Sequence, residues 1–238
     1  MNYENQTNVT LQNRHFEGSV QFSHCSNIRI ENCVFQNANL KFVSCSSVSV
    51  RQCTFINANS THSILCDQSN HIYIGYNYLK EPEGKSNCSD IINIYKSDNA
   101  VIEGNYIIGG GPSTTGGGIM LGDNFGSDQT ARNNILIDCG QYGIAIAGGA
   151  RNSILDNTIM AKKQPWTNVG AYLWGVPARN SVVTSATVSG NRISWTNSAG
   201  RSNPFWEGPN VHGSSVGPNI FNATYEVIPL PSTVGAKL

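Results

Sequence analysis

The sequence predicts an all-β fold in which the chain winds through stacked coils of short strands. One observation is a phrase of residues that recurs along the chain, and another is the many short β-branched runs separated by Gly, Asn and Ser. A third is that no window of about a dozen residues has the sustained apolar spacing of an amphipathic helix. Because such a stack grows by adding coils, all 238 residues fit in a single domain.

The repeat is clearest in the first third of the chain. Residues 25–35 read CSNIRIENCVF and residues 45–55 read CSSVSVRQCTF, an offset of 20 residues. Weaker copies follow, each with an apolar residue, turn residues, an Asn and a second apolar residue. Their Asn residues are Asn77, Asn105, Asn134, Asn157 and Asn191. Stacked coil on coil, these amides are expected to form an internal hydrogen-bond ladder.

With this repeat, residues 8–195 resemble the right-handed parallel β-helix, or pectin-lyase-like, superfamily. The resemblance implies a right-handed parallel β-helix solenoid of about eight coils over residues 1–195. Residues 196–238, where Gly, Pro and Ser surround several aromatic residues, are expected to form an irregular C-terminal cap or tail over the last coil. The first coil has no amphipathic capping helix. Residues 1–8 are expected to form a thin cap over that end. Alternatively, a missing N-terminal domain or a neighbouring subunit, as in a homo-trimer, covers it.

A second strand in each coil alternates inward and outward side chains. The residues expected inside are Val20, Phe22, Leu40, Phe42, Ile92, Ile94, Ile119, Leu121, Ile144 and Ile146. The cysteines are expected to stack as free thiols, with Cys25, Cys45 and Cys66 in one column and Cys33 and Cys53 in another. No C-x₂-C pair is present, so no metal site and no cofactor are predicted, while a Ca²⁺ requirement stays open.

The outward side chains of the same strands predict a groove. Its middle is small and flat, with Met120, Gly122, Ala145 and Ala147, and polar or aromatic walls stand at either end. Such a surface suits an extended polysaccharide, because aromatic faces stack on sugar rings. The residues expected to bind it are Asn93, Tyr95, Trp174 and Trp206.

Candidate catalytic residues lie beside this groove. Asp123 is expected near Lys96, one coil earlier, as an acid/base pair. In a lyase or epimerase, Lys96 or Tyr172 would be the base, and Arg151 or Arg179 would neutralise a uronate carboxylate. In a hydrolase, two of the carboxylates would act together at roughly 5–9 Å. The candidates are Asp90, Asp98 and Asp123.

Two functions from different classes follow. One is a carbohydrate-active enzyme, a lyase, epimerase or glycoside hydrolase, acting on an extracellular polysaccharide. The other is a non-catalytic polysaccharide-binding or structural module, such as a tailspike or adhesin segment. The catalytic motifs of the polygalacturonase-like, pectate-lyase-like and mannuronan-epimerase-like members are missing, so no catalytic role is carried over from them.

Composition narrows the partners and the location. Formal net charge is zero and 13% of residues are charged, which argues against nucleic-acid and membrane-surface partners. No signal peptide opens the sequence. A polysaccharide partner nevertheless predicts an extracellular or periplasmic protein.

Overall fold

The computed structural model describes residues 1–58 and 60–237, and in these residues three long parallel sheets form a solenoid. The chain passes through sheets A, B and C in turn, so that each coil adds one strand to each sheet. The described residues give nine strands per sheet, one coil more than the sequence suggested. The predicted parallel β-helix is confirmed. The same residues include no helix that is long and apolar enough to cross a membrane.

The strands are short, and in the described residues the strands of successive coils pair in parallel. Sheet A contains Asn2–Glu4, Val20–Ser23, Leu40–Val43, Ile64–Asp67, Ile92–Tyr95, Ile119–Asp123, Tyr142–Ile146, Val169–Leu173 and Phe205–Glu207. Sheet B contains Thr7–Gln12, Ser26–Glu31, Ser46–Arg51, Asn70–Gly75, Asp98–Glu103, Gln129–Arg132, Ser153–Leu155, Thr187–Ser189 and Ser215–Val216. Sheet C contains His15–Phe16, Val34–Gln36, Thr54–Ile56, Tyr78–Lys80, Tyr106–Ile108, Ile135–Ile137, Thr158–Ala161, Arg192–Trp195 and Ile220–Phe221.

Two smaller elements complete the fold. A three-stranded sheet joins Gly149–Ala150, Val183–Thr184 and Val211–His212, and a 3₁₀ turn spans Pro177–Arg179. Both belong to the longer connections between sheets A and B in the later coils. These connections bring Arg179 back over the outer face of sheet A, where it lines the groove described below.

The core is one continuous column of apolar side chains. All ten residues predicted to face inward are fully buried, because each sheet A strand turns alternate side chains into the solenoid. Identical residues stack in successive coils, with ring centroids 5.3 Å apart for Phe22 and Phe42 and 4.5 Å apart for Phe35 and Phe55. Each coil therefore shields the next from water, as in other solenoids.

The predicted asparagine ladder runs along the turn between sheets B and C. The Nδ2 of Asn77 donates to the Oδ1 of Asn105 at 2.9 Å, and Asn105 repeats this bond to Asn134. The series continues through Asn157 and Asn191 to Asn219. Each Oδ1 also accepts the backbone N–H of the preceding Asn, so one side chain satisfies several buried groups of the turn.

The cysteines follow the predicted columns with one correction. All seven are free and buried, and Cys33 and Cys53 lie in the column that Asn77 continues. Cys66, however, pairs with Phe42 in sheet A and not with Cys45. Ser69 takes the place above Cys45, since its hydroxyl accepts the Cys45 backbone N–H. The strand pattern, and not the cysteine spacing, sets the register of this coil.

The segment after residue 195 differs from the expected cap. Its first part, residues 205–221, supplies the ninth strand of each sheet, so the predicted boundary at residue 195 falls within the solenoid. Residues 222–237 then run back along sheet C, where Ile228 and Val234 cover the outward side chains of Tyr78 and Tyr106. The tail lies along a side of the stack instead of across its end, because that side carries the exposed apolar surface of sheet C. Leu238 lies outside the described residues.

Candidate functional site

A groove of about 620 Å³ lies on the outer face of sheet A, over coils four to eight. Its floor is sheet A, and its walls are the connections that enter and leave that sheet. The lining residues are Thr61, His62, Leu65, Asp67, Ser89, Asp90, Asn93, Tyr95, Thr115, Met120, Asp123, Ala147, Tyr172, Trp174, Val176 and Arg179. Seven of the predicted site residues are among them: Asp90, Asn93, Tyr95, Asp123, Tyr172, Trp174 and Arg179.

One end of the groove is aromatic. The strand register aligns Met120, Ala145, Tyr172 and Trp206 in one outward column, so the small residues of the middle lead up to two large rings. Trp174 completes the cluster, with its ring centroid 6.1 Å from that of Trp206 and 6.5 Å from that of Tyr172. Trp206 is 43% exposed. This cluster offers apolar ring faces to a ligand that enters the groove.

At the floor of the groove, one side-chain amide donates hydrogen bonds to two carboxylates. The Nδ2 of Asn93 donates to Asp90 Oδ2 at 2.8 Å and to Asp123 Oδ2 at 3.0 Å. The two carboxylate oxygens therefore lie within about 6 Å of each other, since both bonds share one nitrogen. The opposite amide orientation would place an oxygen against both carboxylates, so the donor must face them.

Asp90 is the more buried of the two carboxylates. It is 6% exposed, and it accepts hydrogen bonds from the Tyr142 hydroxyl and from the Gly117 backbone N–H. Burial raises the pKa of Asp90 to about 6, against the opposing effect of these hydrogen bonds. The pKa of Tyr142 is raised well above its ordinary value, first by burial and then by the Asp90 charge. Tyr142 therefore stays a hydrogen-bond donor to Asp90.

His62 lies beside this pair. Its Nε2 is 3.8 Å from Asp90 Oδ2, and its Nδ1 is 3.1 Å from the Thr61 hydroxyl. Burial lowers the pKa of His62 to about 4, so the imidazole is neutral at neutral pH.

Asp123 has a different environment because the end of its strand is distorted. Gly122 has a positive φ of 62°, and a Cβ at this position would lie 2.0 Å from the Gly148 carbonyl oxygen. The register shifts here, so that Asp123 pairs with Tyr95 and not with Lys96 as expected. Arg179 becomes its ion-pair partner, with the guanidinium Nη1 2.5 Å from Asp123 Oδ1.

Three of the predicted residues lie elsewhere. The Lys96 ammonium lies 5.3 Å from the centroid of its neighbour Tyr95, and the Lys96 side chain is exposed. Arg151 forms a two-pronged ion pair with Asp128 at 2.6 and 2.7 Å beside the small sheet. Asp98 accepts the Ser127 backbone N–H at 2.7 Å. The structure does not bring them to the groove with Asp123.

Comparison with known proteins identifies the architecture. A family model described as a right handed beta helix region matches residues 1–193. The chain belongs to the right-handed β-helix family.

A solved structure resembles this β-helix, namely the crystal structure of bacteriophage CBA120 tailspike protein 3. The TM-score is 0.56 at 14% sequence identity, and the likeness covers 90% of this chain. The chain spans 38% of the length of that protein, and at this identity the likeness shows the fold alone. No curated protein matches the chain.

In this β-helix, His62 and Tyr142 are the residues around the Asp90 carboxylate that sequence reasoning missed. The repeat contained a signal for His62, because the strand register aligns Ile64 with Ile92 and so places His62 and Asp90 two residues before equivalent strands. Tyr142 gave no such signal, since its contact with Asp90 spans 52 residues of the chain. In the part of the chain that the structure describes, no group of three or more His, Cys, Asp or Glu side chains could hold a metal ion.

Proposed function

We propose that this protein is a glycoside hydrolase that binds an extracellular glycan chain in the sheet A groove and cleaves it between Asp90 and Asp123. The observation that carries the proposal is the carboxylate pair bridged by Asn93 beneath an aromatic wall. Glycosidases of most families use two such carboxyl groups, one as the acid and one as the nucleophile or base. The Tyr172, Trp174 and Trp206 rings supply faces for the flanking sugars.

The charges in the groove favour a hydrolase over a lyase. A lyase or epimerase acting on a uronate needs a free cation to neutralise the substrate carboxylate. Arg179 is already paired with Asp123, while Arg151 is paired with Asp128 outside the groove. Among the described lining residues, Asp67, Asp90 and Asp123 outnumber the one arginine, Arg179, so the groove carries a net negative charge that repels an acidic polymer. A neutral glycan is therefore the better substrate class.

The environments of the two carboxyl groups suggest their roles. Asp90, with its pKa raised to about 6 by burial, protonates the leaving glycosidic oxygen. Asp123 attacks the anomeric carbon as the C–O bond breaks, and Asp90 then takes a proton from the water that releases the sugar. The nearest oxygens of the two carboxyl groups lie within about 6 Å of each other, closer to the roughly 5–5.5 Å of retaining enzymes than to the 6.5–9.5 Å of inverting ones, so we expect the product to keep the substrate's anomeric configuration.

The direct test is a panel of neutral and acidic polysaccharides. Reducing ends and absorbance near 235 nm are followed together for each substrate. We expect reducing ends to rise on a neutral polysaccharide without a rise in absorbance, because hydrolysis forms no unsaturated uronate. A rise in absorbance would make the protein a lyase, and no reaction on any substrate would contradict an enzymatic function.

A non-catalytic glycan-binding module is the second candidate. It is favoured by the low exposure of Asp90, whose two oxygens are already engaged by Tyr142, Gly117 and Asn93. In that function Asp123 and Asn93 hold sugar hydroxyls while the aromatic cluster stacks on the rings. Binding of a neutral glycan without turnover in the same panel would select this candidate.

The buried Asp90 also predicts a pH dependence of stability. Its pKa is raised from 3.8 to about 6, so the folded protein holds the proton more tightly than the unfolded chain. This stabilisation is fully present below pH 3.8 and is lost as the pH rises through 6. Relative to Asp90→Asn, the wild-type free energy of unfolding should fall by about 3 kcal/mol between about pH 3 and pH 8.

Urea denaturation of both proteins across this pH range measures the difference. Asp128→Asn is the matched control, because Arg151 lowers the pKa of the Asp128 carboxyl. The Asp128 carboxylate stabilises the folded protein less as the pH falls. The difference in free energy of unfolding between the wild type and Asp128→Asn should therefore rise with pH, whereas the difference between the wild type and Asp90→Asn should fall. A difference from Asp90→Asn that stays constant with pH would show that burial does not raise the pKa of Asp90.

A further inference from the structure

A second pocket of about 760 Å³ lies next to the groove. We call it the Trp166 pocket, and it is formed by residues 112–114, Gln141, residues 165–168 and Ser198. These residues belong to four successive connections from sheet C to sheet A. The proposed function does not use them.

The Trp166 pocket is connected to the groove on two sides. Thr114 lines the pocket while its neighbour Thr115 lines the groove, so one loop borders both. Asn168 lines the pocket and also a small third pocket that contains Trp206. The Trp206 ring in turn lies 6.1 Å from both Tyr172 and Trp174 of the groove. A chain that leaves the groove over Trp206 therefore reaches the Trp166 pocket.

The position of Trp166 is fixed by its surroundings. A Cβ on Gly84 would lie 3.0 Å from its six-membered ring, and a Cβ on Gly111 would lie 2.3 Å from its Nε1, so the indole packs directly on backbone. The loop that carries it is closed by Gln164 and Thr167, which exchange bonds of 3.0 and 3.1 Å. On the opposite loop, Gln141 donates to the Thr114 carbonyl at 2.9 Å. The ring is therefore placed before any ligand arrives.

The chemistry of the lining selects an uncharged ligand. Among the described residues that line the Trp166 pocket, none is charged. Trp166 and two prolines supply apolar faces, while Ser, Thr, Gln and Asn side chains supply donors and acceptors. This combination matches a neutral sugar, which has an apolar ring face and a rim of hydroxyl groups.

We infer that the Trp166 pocket is a second carbohydrate site, which binds a neutral sugar unit of the same glycan at a distance from the bond that is cleaved. This inference rests on the proposed function and extends it to substrate length. Long neutral chains bind to both pockets, whereas short ones fill the groove alone. Affinity should therefore rise with chain length beyond what the groove can hold.

The test measures binding of neutral oligosaccharides of increasing length by tryptophan fluorescence and calorimetry. Trp166→Ala in an Asp123→Asn background, which prevents turnover, should raise the Kd of long oligosaccharides about tenfold and that of disaccharides much less. Asn168→Ala, an exposed position between the two pockets, is a second and structurally milder variant. Tyr73→Ala on sheet B is the matched aromatic control, and thermal unfolding checks that each variant is folded.

The outcomes separate the two proposals. Equal affinities of Trp166→Ala and its parent at every length would overturn the second site, even where wild-type turnover supports the hydrolase. Conversely, Trp166-dependent binding by a protein that hydrolyses none of the glycans would support the second site and overturn the hydrolase. A loss that is the same for disaccharides and long chains would place Trp166 in the main groove and overturn the inference.

Discussion

Asp123→Asn is expected to reduce glycan hydrolysis about a thousandfold or more while the protein stays folded. The substitution keeps the size of the side chain and one oxygen that can accept from Arg179, but its amide nitrogen then faces the Asn93 donor, so a small fall in the thermal transition is expected. It removes the carboxylate oxygen that attacks the anomeric carbon and the negative charge that stabilises the developing oxocarbenium ion. The measurement is the initial rate of reducing-end release at saturating substrate, compared with the wild type.

Asp128→Asn provides a matched control for this experiment. Asp128 is also an aspartate in an ion pair with an arginine, but it lies beside the small sheet with 41% of its side chain exposed. Its loss should change the rate by less than about twofold, because exposed ion pairs contribute little. If both variants keep more than a tenth of the wild-type rate, the groove carboxylates are not the catalytic pair.

The sequence predicted the face of the protein that carries the site better than the contacts within it. Strand alternation placed Asn93, Met120 and Tyr172 in one outward column, because the period of two survives wherever a strand stays regular. Strand alternation failed where the strand is distorted at Gly122. The register shifts by one residue there, and the ion-pair partner of Asp123 is Arg179 instead of the predicted Lys96. Pattern alone cannot locate such a shift, because it accompanies the close approach of the Gly148 carbonyl, from the next coil, to Gly122.

The same limit applies to loops and to the tail. Arg179 reaches Asp123 from 56 residues away, through a 3₁₀ turn whose position depends on the small sheet. The tail was expected over the last coil, because a bare solenoid end needs cover. Its actual path follows the apolar outward side chains of sheet C in coils four to six. Both features depend on contacts between distant segments, which no local repeat encodes.

Asn105→Ala is expected to destabilise the protein by about 3–5 kcal/mol. The side chain is 1% exposed and makes four hydrogen bonds. It donates to the Ile74 carbonyl at 3.0 Å and to Asn134, and its Oδ1 accepts both the backbone N–H and the amide of Asn77. Alanine leaves the Asn77 backbone N–H and one of its two amide hydrogens without the Oδ1 acceptor, and it removes the amide donor to the Ile74 carbonyl. The other Asn77 amide hydrogen keeps its bond to the Val50 carbonyl at 3.1 Å. Each buried polar group that loses its partner costs about 1–3 kcal/mol.

Urea denaturation of Asn105→Ala and Asn70→Ala separates the ladder from asparagine loss in general. Asn70 is exposed at the start of a sheet B strand, where its side chain hydrogen-bonds to the neighbouring His71 at 3.1 Å. Its replacement should change the free energy of unfolding by less than about 0.5 kcal/mol. A similarly small effect at Asn105 would mean that water replaces the lost amide. The repeated asparagine would then set the turn conformation alone, without supporting the stack of coils that carries the groove.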